Sequence, residues 1–135
     1  MDTISVEVAK AFVEAVNAGS VGRLAALMTK DHTFIDSDGA EYRGKSRMAP
    51  GWGEYFAMVP DYRITIRETF ATGGTVMMAG EAEGTFAQDG LLKSENHWRV
   101  PAAWRAVIKD GKVAVWQLYV NPEPMANILK RIKGE

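Results

Sequence analysis

Asp36 is the side chain that the sequence most favours for chemistry, because it directly follows an apolar strand. In the stretch HTFIDSDGAEYRG, residues 32–44, the apolar pattern ends at Ile35 and a turn containing Gly39 follows the acid. A carboxylate at the end of such a strand can act as a general base if a pocket opens there. The alternative is a turn residue whose side chain bonds the backbone near Asp38. Both interpretations stay open from the sequence alone.

His97 is the second candidate for acid or base chemistry. It is one of two histidines and the only one on the predicted long strands. It could take or give a proton beside a ligand, and Glu95 has the right strand parity to be its partner. The alternative is a core or interface histidine with one satisfied ring nitrogen, because a single histidine without a visible partner does not define a site.

Aromatic and apolar side chains could form the walls of a pocket around these two groups. Apolar walls with a few polar groups are typical of a site for a small hydrophobic molecule. Tyr55 is the most informative of them, because its hydroxyl could hydrogen-bond to a ligand. Plain core packing is the alternative for each residue. The candidate ligand-binding residues are Phe12, Trp52, Tyr55, Phe56, Trp116 and Leu118, with Trp104 and Tyr119 as further aromatic candidates.

Composition excludes several classes of function. The chain has 135 residues, a formal net charge of -1, no cysteine and two histidines. Such a charge gives no attraction to nucleic acid or to an anionic membrane. Thiolate and multi-histidine metal sites are excluded, and no cofactor-binding or nucleophile motif is present, so we expect neither metal nor cofactor. Residues 1–19 contain early acids and no long apolar run, which predicts a soluble cytoplasmic protein without signal peptide or membrane span.

The spacing of apolar residues predicts one α+β domain over residues 1–135. Helical spacing is found at 6–18 and 21–28, and again in an irregular helix that ends before Pro60. From Tyr62 onward the apolar period changes to two. Helices followed by a run of strands are typical of the α+β class. The predicted strands are 32–36, 41–43, 62–70, 75–86, 93–108 and 112–120, and a closing helix is predicted at 125–133.

Asp110-Gly111 is the strongest hairpin signal in the chain. A two-residue turn there pairs Arg105 with Trp116 and places Trp104 on the opposite face of the sheet. Both faces are then substantially apolar, and we expect a partner subunit to cover one of them, giving a homodimer. A bulge at Pro101 would change this register.

Four segments taken in order resemble a known superfamily. They are FVEAVNAGSVGRLAALMTKDHTFIDSDG, YRGKSRM, YFAMVPDYRI and WRAVIKDGKVAVWQLY. Together they are similar to the nuclear transport factor two-like superfamily, and to its SnoaL-like domains in particular, from about Val6 to Pro124. The resemblance implies a curved antiparallel sheet wrapped around about three helices, a cone-shaped α+β barrel with a central pocket, usually in a dimer. The superfamily includes isomerases, cyclases, epoxide hydrolases, dehydratases and proteins that only bind, so the fold does not give the function.

Ketosteroid isomerases of this superfamily allow a test of the resemblance at individual residues. Their catalytic aspartate base stands where Asp36 does. Their oxyanion is bound by a tyrosine and a protonated aspartate, which correspond here to Phe12 and a position near Ala103. Neither residue can donate a hydrogen bond. Because losing one such donor costs roughly 2.7–4 kcal/mol of transition-state stabilisation, the sequence predicts that this chain lacks that particular machinery.

Three functions stay open from the sequence. The first is a proton-transfer enzyme that acts on a small hydrophobic molecule, with Asp36 as base and His97 or Tyr55 assisting, in an isomerisation, cyclisation, dehydration or epoxide opening. The second is a non-catalytic module that binds or carries such a molecule in the same pocket. The third is a dimeric interaction domain that uses the outer face of the sheet.

Overall fold

The computed structural model describes residues 3–134, whose helices and strands fall into two blocks along the chain. The first block is mainly helical and the second is a run of long strands. The α-helices are α1 (Thr3–Asn17), α2 (Val21–Leu27), α3 (Lys45–Met58) and α4 (Glu123–Gly134). The strands are β1 (Met28–Ile35), β2 (Glu41–Arg43), β3 (Arg63–Thr72), β4 (Thr75–Thr85), β5 (His97–Lys109) and β6 (Lys112–Val120), and a short 3-10 helix spans Ser94–Asn96.

The six strands form one curved sheet in the order β2-β1-β6-β5-β4-β3. Neighbouring strands are antiparallel except for β1 and β6, which are parallel. The predicted α+β class with a curved sheet around helices is therefore confirmed. The sheet is unclosed, because β2 and β3 are its two edges within the described residues, so the barrel of the expectation is incomplete.

The helical elements begin and end where the sequence predicts within a few residues. Gly19 adopts a left-handed φ of +63° after α1, a conformation that glycine reaches without strain. Ser20 then caps α2 by accepting a hydrogen bond from the amide of Arg23 at 3.2 Å. Helix α3 contains Pro50 and still continues to Met58. Its buried residue Trp52 lies on the face of the helix that packs toward the sheet.

The predicted register of the β5–β6 hairpin is wrong by one residue. The turn lies at Asp110-Gly111, but an irregularity after the first pairs makes Val107 pair with Val115, so that Ala114 is the extra residue of a bulge. Because a shift of one residue moves a strand's side chains to the other face, Trp104 pairs with Leu118 and both face the helices. The Pro101 bulge is also wrong, since β4 and β5 pair in unbroken register through that residue.

The corrected register changes the two faces of the sheet. The helix-facing side collects the aromatic rings Trp98, Trp104 and Trp116, all buried. The outer side instead places Arg105 opposite Gln117, with a hydrogen bond of 3.2 Å between them. The homodimer, which was argued from two substantially apolar faces in the predicted register, therefore stays a prediction.

A glycine permits the close approach of β3 and β4. A Cβ atom on Gly80 would lie 1.9 Å from the carbonyl oxygen of Thr65, far inside any allowed contact. This contact lies next to a bulge in β3 between Ile66 and Glu68. Since bulges bend and twist the strand that carries them, Gly80 and this bulge together contribute to the curvature that wraps the sheet around the helices.

The core lies between α1 and the concave face of the sheet. Phe12 is fully buried there and its ring centroid lies 4.5 Å from that of Trp116. His32 is also fully buried, 5.9 Å from Phe12, and its Nδ1 donates to the carbonyl oxygen of Val113 at 2.7 Å. Desolvation by burial lowers the pKa of His32, so this ring is a neutral member of the core.

Candidate functional site

A cavity of about 610 Å³ lies between helices α3 and α4 and the helix-facing side of the sheet. Its inner wall is aromatic and apolar, and includes Phe86, Trp104 and Trp116. Its exposed rim carries polar and charged groups, among them Arg47 and Glu54. This volume and this distribution of polarity are typical of a site for a small organic molecule.

Asp36 lies on this cavity, at the point where strand β1 ends and the turn to β2 begins. The turn is closed by backbone hydrogen bonds of 2.9 Å between Asp36 and both Gly39 and Ala40. The half-buried carboxylate uses Oδ1 to accept a hydrogen bond of 2.7 Å from the amide of Ser37. Its Oδ2 makes no hydrogen bond within residues 3–134 and can accept a proton from a ligand.

The neighbouring acid performs the turn role that was the alternative for Asp36. Asp38 is exposed and its Oδ1 accepts a hydrogen bond of 2.9 Å from the amide of Ala40, two residues on. Asp38 does not line the cavity. Asp38 thus serves the turn alone, whereas Asp36 bonds the turn backbone at Ser37 and also reaches the cavity.

Two tyrosines of the cavity wall, the half-buried Tyr55 and the buried Tyr62, lie next to each other. Their rings, Tyr55 on α3 and Tyr62 just before β3, meet edge to face with centroids 5.0 Å apart. Burial, and after it the negative charge of Asp36, raises the pKa of Tyr55 well above its usual range. Burial, and after it the neighbouring Tyr55, likewise raises the pKa of Tyr62. Both side chains therefore keep their phenolic hydrogen at physiological pH and are hydrogen-bond donors.

Helix α4 forms one side of the cavity through Met125 and Leu129. None of its side chains is fully buried. The guanidinium of Arg131 attaches the helix to the 3-10 helix that precedes β5, because it donates to the carbonyl oxygen of Glu95 at 2.7 Å and to Oδ1 of the buried Asn96 at 2.8 Å. A third hydrogen bond of 3.2 Å reaches the Glu95 carboxylate.

The structure brings five of the eight predicted site residues to the cavity. These are Asp36, Trp52, Tyr55, Trp116 and Leu118, and Trp104 joins them. Phe12 lies behind the wall, packed on Trp116, and Phe56 packs on Trp52 with centroids 5.6 Å apart. Neither of these two phenylalanines lines the cavity. Tyr119 lies on the outer face of the sheet and is 43% exposed.

His97 lies on the outer face of the sheet, away from the cavity. The amide and hydroxyl of Thr85 both donate to the carboxylate of Asp61 at 2.7 Å. The hydroxyl oxygen of Thr85 is therefore left to accept from Nδ1 of His97 at 2.8 Å. The nearest carboxylate to Nε2 is that of Glu83 at 3.8 Å. The predicted partner Glu95 instead binds Arg131.

Several cavity residues were not singled out from the sequence. Tyr62 was assigned only to a strand face, and Phe86 only to the end of a strand. Met125 and Leu129 were assigned to a closing helix without a role. The apolar spacing of α4, which also includes Ile128 and Ile132, was the available signal that one face of this helix covers something apolar.

The described residues contain no cluster that fits a metal ion. No group of three or more histidine, cysteine, aspartate or glutamate side chains in that part of the chain is placed to hold one. No helix among them is long and apolar enough to cross a membrane. The chemistry available at the cavity is that of the Asp36 carboxylate, the phenols of Tyr55 and Tyr62, a rim that carries Ser37, Tyr42, Arg47 and Glu54, and apolar walls.

Solved structures with the same fold come from several bacteria. A protein from Shewanella denitrificans OS-217 assigned as a SnoaL-like polyketide cyclase superposes with a TM-score of 0.81 at 15% identity, over 96% of this chain and 98% of that one. An LEH-like epoxide hydrolase from M. tuberculosis gives a TM-score of 0.79 at 17% identity, over 96% of this chain and 91% of that one. A protein with a ketosteroid isomerase-like fold from Catenulispora acidiphila DSM 44928, solved with trimethylamine, gives 0.71 at 21% identity, over 84% of each chain.

At such identities these likenesses establish the fold and not the reaction. A search of curated proteins finds no match to this sequence. The model of the SnoaL-like domain, in contrast, matches residues 9–116. This range contains Asp36, both tyrosines of the cavity wall and the three buried tryptophans of the helix-facing side. The chain therefore belongs to the SnoaL-like domain family.

Proposed function

We propose that this protein is a proton-transfer enzyme that binds a small hydrophobic molecule in the cavity and uses Asp36 as its general base. The observation that carries the proposal is the unpartnered Oδ2 of Asp36 on a largely apolar cavity of about 610 Å³. The single hydrogen bond from Ser37 fixes the orientation of the carboxylate and leaves its other oxygen for the substrate.

Each part of the cavity has a role in such a reaction. The aromatic wall around Trp104 and Trp116 holds the hydrophobic body of the substrate and excludes water. Asp36 removes a proton from a carbon held beside it and returns it at the same or another atom. A positioned general base contributes about 10²–10⁴-fold to the rate. Isomerisation, cyclisation, dehydration and epoxide opening all begin or end with such a transfer.

The solved neighbours support a small-molecule function for this fold. One is assigned as a polyketide cyclase and another as an epoxide hydrolase. A third was solved with a bound small amine. His97 has no role in the proposed reaction, because it lies on the other face of the sheet and its Nδ1 is engaged with Thr85.

Deuterium exchange into a small bicyclic ketone tests the proposal without knowledge of the natural substrate. The protons beside the carbonyl of 2-tetralone exchange with D2O through the enol or enolate, and the exchange is followed by mass spectrometry. We expect the protein to accelerate it, and Asp36→Asn to lose about 10²–10⁴-fold of that acceleration. Asp38→Asn is the matched control, because it makes the same change in the same turn outside the cavity.

The result separates the enzyme from a carrier. Equal exchange rates for the wild type and Asp36→Asn would contradict the role of Asp36. Binding of 2-tetralone without any acceleration by the wild-type protein would favour the non-catalytic binding module instead. Affinity for 2-tetralone is measured in parallel by quenching of tryptophan fluorescence, which the tryptophans of the wall make sensitive.

We also propose that a second copy of the chain covers the outer face of the sheet. Phe70 and Tyr119 project from this face and are 64% and 43% exposed. The charges at one end of the face are balanced, because Arg67 and Arg99 both bind Glu81 and Arg99 also lies 4.0 Å from the carboxylate of Glu83. The face therefore offers exposed rings without a field of like charges that would oppose a second copy.

Sedimentation velocity tests the homodimer. We expect the wild type to sediment as a dimer at micromolar concentration and Tyr119→Lys to sediment as a monomer. Ile4→Lys is the control, since Ile4 is a 69% exposed apolar residue of helix α1, away from the sheet's outer face. A monomeric wild type would overturn the proposed homodimer.

A further inference from the structure

The hydroxyls of Tyr55 and Tyr62 have no partner in the part of the chain that the structure describes. Neither makes a hydrogen bond there, and neither is among the fully enclosed polar atoms that lack one, so each keeps accessible surface. That surface faces the cavity, which both residues line. The indole nitrogen of Trp52, in contrast, is enclosed without a partner and is out of reach of a ligand.

Such a pair of donors calls for an acceptor. Because each hydroxyl still reaches the cavity, water can satisfy it in the free protein, and a ligand that displaces this water keeps the hydrogen bonds only if it brings an acceptor of its own. Here the two rings hold each other edge to face at 5.0 Å, and Tyr55 also meets Trp52 edge to face at 6.3 Å. These contacts fix the rings and with them the positions of the hydroxyls. The effect of burial on both phenols, described above, keeps them as donors.

We propose that Tyr55 and Tyr62 form a donor site for a carbonyl oxygen, and that the substrate class is therefore a hydrophobic ketone. This inference rests on the proposed function, since it names the group that opposes Asp36 in the same cavity. It also places the donors on helix α3 and on the chain before β3. In ketosteroid isomerases the two donors stand at other positions. One corresponds to Phe12 here and the other lies near Ala103, and neither residue lines the cavity.

The step balances without any further reactant. The carboxylate of Asp36 takes a proton from the carbon next to the carbonyl, and the electrons of that C–H bond form a C=C bond. The electrons of the C=O double bond move onto the oxygen, which becomes an enolate oxygen. The tyrosine hydroxyls donate hydrogen bonds to that oxygen and keep their protons. Reversal of the step, or return of the proton to another carbon of the enolate, regenerates the carboxylate.

Other polar groups on the rim are less suited to this task. The guanidinium of Arg47 lies over the ring of Tyr42, 5.0 Å from its centroid, at the exposed side of the cavity. Glu54 is an acceptor and exposed. The tyrosine pair is the deeper donor set, and the ring of Tyr62 packs on Trp98, which lies behind the cavity wall, with centroids 5.9 Å apart.

Binding of 2-tetralone and its hydrocarbon counterpart tetralin tests the inference. The two probes share a bicyclic skeleton and differ in the carbonyl oxygen. We expect Tyr55→Phe and Tyr62→Phe each to bind 2-tetralone roughly three- to tenfold more weakly, as for loss of one hydrogen bond, and to bind tetralin unchanged. Tyr119→Phe, which makes the same change on the outer face, is the control. Thermal unfolding of each variant checks that the fold is retained.

Exchange kinetics give a second readout that packing alone would not move. If the hydroxyls bind the developing enolate oxygen, Tyr55→Phe lowers kcat for deuterium exchange into 2-tetralone by about 10²–10³-fold, beyond its effect on KM. Equal losses of affinity for tetralin and 2-tetralone, with kcat unchanged, would overturn the donor site and leave the role of Asp36 intact. Failure of both probes to bind the wild type would overturn the donor site together with the hydrophobic cavity site.

Discussion

Replacement of Arg131 by alanine tests how the cavity is closed. Helix α4 supplies Met125 and Leu129 to the cavity wall, yet none of its side chains is fully buried. The guanidinium of Arg131 attaches it to the 3-10 helix before β5, where it reaches Glu95 and the buried Asn96. Arg131→Ala removes these hydrogen bonds while it leaves the apolar face of the helix in place.

The magnitude follows from the exposure of each bond. The contact with the Glu95 carboxylate joins side chains that are 37% and 61% exposed, and such pairs contribute about 0.2–1 kcal/mol at most. The bonds to the Glu95 carbonyl and to Asn96 have a charged donor, and Asn96 is fully buried, so together they contribute more, roughly 1–2 kcal/mol after allowance for the exposed arginine. Opening of α4 should therefore become about 10- to 100-fold more frequent.

Hydrogen exchange read by mass spectrometry measures this opening directly. We expect amides of α4 to exchange about 10- to 100-fold faster in Arg131→Ala, and amides of β5 to change much less, because the core does not include the helix. Release of bound tetralin, followed by stopped-flow tryptophan fluorescence, should accelerate as well. Lys130→Ala is the matched control, since it removes a neighbouring exposed cation of the same helix. An unchanged exchange rate for α4 in Arg131→Ala, or an equal effect of Lys130→Ala, would refute this account of the closure.

Three further predictions concern the core and the cavity. His32, whose pKa burial lowers from 6.5, binds its proton more readily in the unfolded chain, so its contribution to stability is complete above pH 6.5 and is lost as the pH falls below it. One proton can contribute a slope of at most about 1.4 kcal/mol per pH unit, and chemical denaturation between pH 7.5 and 5.5 should show a smaller slope for His32→Asn. Gly80→Ala should destabilise the fold by about 1–3 kcal/mol or more, because its Cβ would lie 1.9 Å from the Thr65 carbonyl oxygen; an unchanged melting temperature would contradict this. Leu118→Trp, which fills the cavity from β6, should weaken tetralin binding by at least tenfold, and wild-type affinity in a folded variant would show that tetralin binds elsewhere.

The secondary structure was predictable because local signals determine it. Gly19 and Ser20 mark a helix end and the next helix start, and Asp110-Gly111 marks a tight turn with a φ of +53° at Asp110. The pairing of β5 with β6 was not predictable, since the bulge at Ala114 has no glycine or proline to announce it. One extra residue there was enough to place Trp104 and Trp116 on the same face instead of opposite faces.

The position of a candidate residue was predictable where it follows from the place of that residue on a single strand. The end of β1 placed Asp36 on the cavity because an apolar strand must face the core. The tyrosine pair was not predictable, because Tyr55 and Tyr62 belong to different elements whose packing joins them. Strict alternation along β5 places His97 on the same face as Arg105, and the structure agrees. The observed pairing of β5 with β6 moves Trp116 and Leu118 to the opposite face, and the cavity lies there.

A crystal structure with 2-tetralone tests the central claim most directly, namely that a small hydrophobic molecule binds beside Asp36. We expect the ligand's rings to pack against Trp104 and Trp116, with its carbonyl oxygen about 2.7–2.8 Å from the hydroxyl of Tyr55 and the adjacent carbon next to the carboxylate of Asp36. A ligand bound outside the cavity, or one inside it with no carbon near that carboxylate, would contradict the account.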